Sequence, residues 1–116
     1  VRKGWERVLK ARLEDARFFW EADCRTPLKV WLDELEKVIF LAPLGSMGDK
    51  SRRLQRLAAH LAGLIFPDME KDLARAGRLA KTDLVSEMVG EFPDLQGIMG
   101  GIYARLKGES EAVSRA

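Results

Sequence analysis

The sequence predicts an all-α fold, a single bundle of about five helices. Apolar residues recur at helical spacing along most of its 116 residues. Proline and glycine fall between those runs and rarely inside them. No pair of strand-like segments carries the turn chemistry of a hairpin.

Trp5, Val8, Leu9, Leu13, Ala16, Phe19 and Trp20 follow the helical period and predict a first helix over 4–22. Arg7, Lys10, Arg12 and Arg17 give it a basic outer face. DCRTP at 23–27 breaks the chain, with Thr26 placed to cap and Pro27 at the first position of a second helix. Leu28, Trp31, Leu32, Leu35, Val38 and Ile39 carry that helix to about Phe40. APLGSMGD at 42–49 reads as a loop, with Asp49 as the cap of a third helix over 50–65. Leu54, Leu57, Ala58, Leu61 and Ile65 form its inward side, and Arg52, Arg53, Arg56 and His60 its polar side.

FPDMEKD at 66–72 is a turn with Asp68 as cap, its acids placed where the helix dipole favours them. Leu73, Ala76, Leu79, Ala80 and Leu84 point a fourth helix inward, and Val85, Met88 and Val89 extend it to Phe92. Pro93 starts a fifth helix over 93–107, and Gly108 ends it. Residues 1–108 then form one helical domain, and 109–116 a frayed connection onward.

Two clusters stand out. Gly97, Gly100, Gly101 and Ala104 recur at i, i+3, i+4 and i+7, although each glycine costs a helix interior about 1 kcal/mol. A face that small admits a neighbouring backbone, either another helix of the domain or a partner surface. Asp83, Glu87 and Glu91 recur at i+4 with no base among them. They form a solvated acidic face, or pair with the arginines, or offer oxygens to magnesium. One helix without a second ligand-bearing segment makes a poor metal site, and none is expected here.

Composition narrows the function. One cysteine and one histidine exclude an internal disulfide and a Cys/His zinc site. Neither Cys24 nor His60 has catalytic partners nearby in sequence, and no glycine-rich loop follows a strand. A net charge of +2 gives no bulk affinity for nucleic acid, so the arginine faces carry whatever affinity exists. No apolar run reaches the ~20 residues that span a bilayer, and the first residues lack the core of a signal peptide. A cytoplasmic protein is expected, cut from a longer chain because no initiator methionine begins it.

The string KTDLVSEMVGEFPDLQGIMGGIYA at 81–104 resembles the signature of the β subunit of bacterial, heterotetrameric glycyl-tRNA synthetase. RVLKARLEDARFFWEAD at 7–23 and LGSMGDKSRRLQRLAAHLA at 44–62 resemble segments of the same region, in the same order. The resemblance covers nearly the whole chain, departing locally at Ser46-Met47-Gly48, Gly101 and Ile102.

The resemblance implies an HD-related helical domain that supports tRNA(Gly) binding and subunit architecture. Its partners would be the α subunit and the remaining β-subunit domains of an α2β2 tetramer. ATP and magnesium belong to the parent enzyme, with no cofactor expected in this segment. An active HD domain holds metal with a His, a His-Asp pair and a later Asp. The pair falls at Thr82-Asp83, where only the aspartate is present, so hydrolase chemistry is expected to be lost. The alternatives are a surviving metal-dependent phosphohydrolase built on Asp83 and a purely structural packing module. The residues expected to meet phosphate are Arg52, Arg53, Arg56 and His60, then Arg7, Lys10, Arg12 and Arg17. Those expected to admit a packed backbone are Gly97, Gly100, Gly101 and Ala104.

Overall fold

The computed structural model describes residues 1–116 and is all-α apart from one short hairpin. Helix α1 spans Arg2–Arg25 and α2 spans Leu28–Leu35. Strands β1 (Ile39–Leu41) and β2 (Gly45–Ser46) pair antiparallel, and α3 (Met47–Ile65) follows at once. Then come α4 (Glu70–Leu79), α5 (Glu87–Glu91), α6 (Ile98–Leu106) and α7 (Glu111–Arg115).

Several boundaries differ from the periodicity, each for a local reason. Thr26 caps the end of α1 rather than the start of α2. Its hydroxyl donates to the Ala22 carbonyl at 3.0 Å and its N–H to that of Asp23 at 3.1 Å. The second helix stops at Leu35, not near Phe40. There the chain turns through residues 36–38, and the β-branched Ile39 goes extended and pairs with Ser46, making the hairpin that residue patterning missed. Gly45 permits the return at φ 87°.

The cap of α3 is Ser46, while Asp49 sits at the third helical position. Ser46 Oγ accepts from the Asp49 amide at 3.1 Å, and Asp49 Oδ2 accepts from the Ser46 amide at 2.9 Å, closing a capping box. Asp68 caps nothing: it lies in a 3-10 turn over Pro67–Met69, and α4 begins from Met69 without a side-chain cap.

Helix α4 folds back antiparallel along α3. The Ser51 hydroxyl donates to the Arg78 carbonyl, and Gly77 lies against the Leu54 backbone. A β-carbon on Gly77 would sit 2.8 Å from the Leu54 oxygen, so only glycine fits this crossing. Such close approach turns the buried side of α3 toward its small residues, Gly48, Ser51 and Ala62. The expected inward set is correspondingly rotated outward. Leu54 and Ala58 are half-buried, whereas Leu57, Leu61 and Ile65 are exposed.

The fourth helix does not run on to Phe92. The hydroxyls of Thr82 and Ser86 take the carbonyls of Leu79 and Asp83 at 2.8 and 2.6 Å, competing with helix bonding. A 3-10 turn over Thr82–Val85 results, and Ser86 then caps α5. Nor does a fifth helix start at Pro93. A 3-10 turn covers Pro93–Leu95, and Gly97, at φ 85°, stands outside α6 as its first flanking residue.

Residues 109–116 are not frayed. Ser110 caps α7, which buries Val113 and packs on α6 and α4. The main core lies between α1, α2, α5 and α6, where Trp31, Met88, Val89 and Met99 surround Tyr103. The Tyr103 ring lies 5.5 Å from that of Trp20 and 5.3 Å from that of Trp31, at tilted angles favoured by aromatic pairs.

Candidate nucleic-acid interface

Helix α3 presents the arginines expected from its sequence, but it divides them. Arg52 is committed within the protein: its guanidinium donates to both carboxylate oxygens of Glu36 and to Asp49. Those bonds hold Glu36 below the ordinary carboxylate range and, after the Ser46 amide, help bring Asp49 down to about 2. No acid lies within 50–60, yet Arg52 is neutralised from outside that stretch. Asp49 and Glu36 do so, the second reaching across from the end of α2.

Arg53, Arg56 and His60 are exposed and take part in none of the ion pairs. At 1.5 Å per residue they are spaced about 4.5 and about 6 Å along one helix edge. Arg56 and the half-buried Gln55 border a shallow depression with Arg52. That row offers guanidinium donors suited to phosphate oxygens.

The basic residues of α1 are less available. Arg17 pairs with Glu21 at 3.1 Å and Lys10 with Glu14 at 4.0 Å. Arg12 lies on the opposite side, 4.6 Å from the centre of the Phe92 ring and 3.9 Å from Glu91. Of these four, only Arg7 lacks an ion-pair partner. Helix α1 packs on α5 and α3 on α4, so the two basic sets belong to different layers.

The acidic row is broken up. Asp83 is 1% exposed in the 3-10 turn, while Glu87 and Glu91 are exposed on α5. Asp83 Oδ2 accepts from the amides of Gly97 at 2.6 Å and Gly100 at 3.1 Å, and Oδ1 has no protein partner. No three His, Cys, Asp or Glu side chains gather anywhere in the chain. These residues do not fit an HD-type metal set: one aspartate is spent on backbone amides and its neighbour is Thr82, bonded to Leu79.

The glycine face divides as well. A β-carbon on Gly100 would meet the Asp83 carboxylate at 3.1 Å, and one on Gly101 would meet the Ser114 carbonyl of α7 at 2.7 Å. Ala104 is buried beside them. These three admit neighbours from the same domain. Gly97 does not, since nothing lies within 4 Å of where its β-carbon would be; its need for glycine is its positive φ.

Two residues that sequence reasoning passed over organise this end of the fold. Asp23, 1% exposed, accepts from the Glu87 amide through Oδ1 at 2.9 Å, and through Oδ2 from the Met88 amide at 3.0 Å. Lys107 Nζ donates to the carbonyls of Asp23 at 2.6 Å and Thr26, and stands 4.7 Å from the Trp31 ring centre. Burial pulls its ammonium below the ordinary lysine range. A signal was present: Asp23 stands i+7, i+4 and i+3 from Ala16, Phe19 and Trp20, on the apolar side of α1.

Compared with known protein families, residues 1–116 match the one described as glycyl-tRNA synthetase beta subunit. The chain belongs to that family. It is 67% identical over 116 residues to a glycine–tRNA ligase beta subunit of Oleidesulfovibrio alaskensis, covering all of this chain and 17% of that protein. It is 66% identical to one of Nitratidesulfovibrio vulgaris, with the same coverage of both chains. The Neisseria meningitidis beta subunit is 49% identical over 114 residues, 98% of this chain and 16% of that protein. The chain thus spans about a sixth of the length of these glycine–tRNA ligase beta subunits. The three strings that resemble the family each hold one of the polar ties just described. Asp23 lies in the first, Ser46, Asp49 and Arg52 in the second, and Asp83 with Gly97 and Gly100 in the third.

Proposed function

We propose that this segment serves glycyl-tRNA synthesis as a non-catalytic, HD-related module that holds the phosphate backbone of tRNA(Gly). The observation that carries the reading is the edge of α3, where Arg53, Arg56 and His60 are exposed and unpaired while Arg52 is tied to Glu36 and Asp49. An immobilised neighbouring arginine stiffens that edge, and free guanidiniums beside it suit phosphate without reading bases. Arg7 on α1 is a secondary contact, and Lys10 and Arg17 supply phosphate contacts only by giving up their glutamates. Activation of glycine with ATP and magnesium belongs to the α subunit of an α2β2 cytoplasmic tetramer. Membership of the family supports that assignment, as does the lack of any gathered ligand set or nucleophile–base pair near Asp83, Cys24 or His60.

The test replaces Arg53 and Arg56 by glutamate in the full-length beta subunit assembled with its α partner. The expected result is a higher KM for tRNA, unchanged glycine activation, and a shallower salt dependence of tRNA binding, as two phosphate contacts are lost. Equal affinity and equal salt response would leave the packing role as the module's function.

A further inference from the structure

The 116 residues expose 8086 Å². A self-contained protein of 13.1 kDa exposes about 6,400 Å², so roughly 1,700 Å² is in excess. That is about twice the ~800 Å² one partner contributes to a standard specific interface. The radius of gyration is 16.6 Å, against about 13.4 Å for a compact chain of this length.

Part of the exposed surface is apolar and shaped. Leu57 and Leu61 of α3 are 54% and 46% exposed, and with Leu73 of α4 they wall an open groove of about 300 Å³. Ala58 and Ala76 are part of its lining, a surface small enough for a helix to approach closely. No charged side chain lines it, which argues against nucleic acid as occupant. The arginine edge of α3 faces elsewhere.

Ala116 also lines this groove. Helix α7 brings the backbone there and is held by buried Val113 and by the Ser110 hydroxyl, which donates to Asp72 at 3.3 Å. In a family protein that continues past this position, the next residues emerge at its rim, at high effective concentration. A second copy is a poorer occupant, because a concave groove facing its own image leaves both unfilled.

We propose that the groove between α3 and α4 is the docking site for the stretch of the same polypeptide that follows Ala116. It enters as an amphipathic helix with aliphatic side chains between Leu57, Leu61 and Leu73, in the helix-in-groove manner. The inference does not depend on the RNA reading, which uses another edge of α3.

The experiment uses the full-length beta subunit with its α partner. Benzoylphenylalanine is placed at position 57 or 61, irradiated, and the cross-linked peptides are mapped by mass spectrometry. In a Cys24→Ser background, thiol labelling of Leu57→Cys is compared with that of Gly4→Cys on the open part of α1. The expected result is cross-links within one polypeptide to residues beyond Ala116, with Leu57→Cys labelled about tenfold or more slowly than Gly4→Cys. A cross-link to another polypeptide or to residues before Ala116, no cross-link at either position, or equal labelling rates overturns the proposal.

Discussion

The Tyr103 hydroxyl donates to Asp23 Oδ2 at 2.6 Å, joining α6 to the end of α1 across 80 residues of sequence. The same carboxylate takes the first two amides of α5, so one side chain fixes three helices. Burial, and then the Asp23 carboxylate, push the Tyr103 hydroxyl above its ordinary range, keeping it a donor at any physiological pH. Asp23→Ala strands a phenol and two amides in the core and is expected to cost about 3–5 kcal/mol. Hydrogen exchange at the Glu87 and Met88 amides should accelerate strongly. Tyr103→Phe, which leaves the two amide bonds intact, should cost about 1–2 kcal/mol.

Two glycine-to-alanine changes in helices should act in opposite directions. At Gly77 the new methyl would strike the Leu54 backbone, and overpacking is expected to cost about 1–3 kcal/mol despite alanine's better propensity. At Gly4, where nothing lies within 4 Å, the same change should stabilise α1 by up to about 1 kcal/mol. Amide exchange in α4 and α1 reads each effect separately.

Gly101→Ala should detach α7, because its methyl would meet the Ser114 carbonyl, a backbone atom that cannot rotate away. The local reporter is faster exchange at the Val113 amide, which bonds the Ser110 hydroxyl. Asp83→Ala should free the Gly97 and Gly100 amides at a cost of about 2–4 kcal/mol, again seen as faster exchange there.

Asp49 gives the capping box a pH dependence of definite sign. Its carboxyl lies at about 2 rather than 3.8, held down first by the Ser46 amide and then by Arg52. A depressed acid stabilises the folded state above its unfolded value and loses that contribution as pH falls. Protection of the Ser46 amide should therefore decline from about pH 4 toward pH 2, and Asp49→Asn should flatten the profile. Arg52→Glu should loosen the hairpin at all higher pH, whereas Arg53→Glu should change stability by less than about 0.5 kcal/mol.

What the sequence could disclose followed from which forces are local. The all-α class, the first three helices and the turns at 23–27 and 66–72 were legible, because apolar period and proline placement act within a few residues. The break after Leu79 was not. Val85, Met88 and Val89 keep the helical period through it, while the Thr82 and Ser86 hydroxyls take the Leu79 and Asp83 carbonyls and Asp23, over 60 residues away, holds the amides of α5. The arginine edge of α3 was half legible for the same reason. Arg52, Arg53 and Arg56 read alike in sequence, and only the hairpin that brings Glu36 beside Arg52 separates them. The glycine face was found by spacing, yet spacing could not distinguish Gly97, needed for its φ, from Gly101, needed for room.

Helix α1 has a mechanical consequence. Arg12, over Phe92 and beside Glu91, is the first residue of α1 with a side chain held by another element, and the apolar residues before it, including Trp5, stand exposed. The ten residues from Arg2 to Ala11 project about 15 Å beyond that point, and Arg12 to Asp23 continues about 16 Å on the other side. The helix is a rigid beam pivoted near its middle, with arms of nearly equal length. Sideways force applied at Trp5, about 10.5 Å from the pivot, is returned along the inner arm in the opposite direction at about two-thirds strength. Ala16, Phe19 and Trp20, which pack on the core, share it with Asp23. It arrives where one carboxylate holds Tyr103 and the start of α5, so load on the exposed arm bears directly on the junction of three helices.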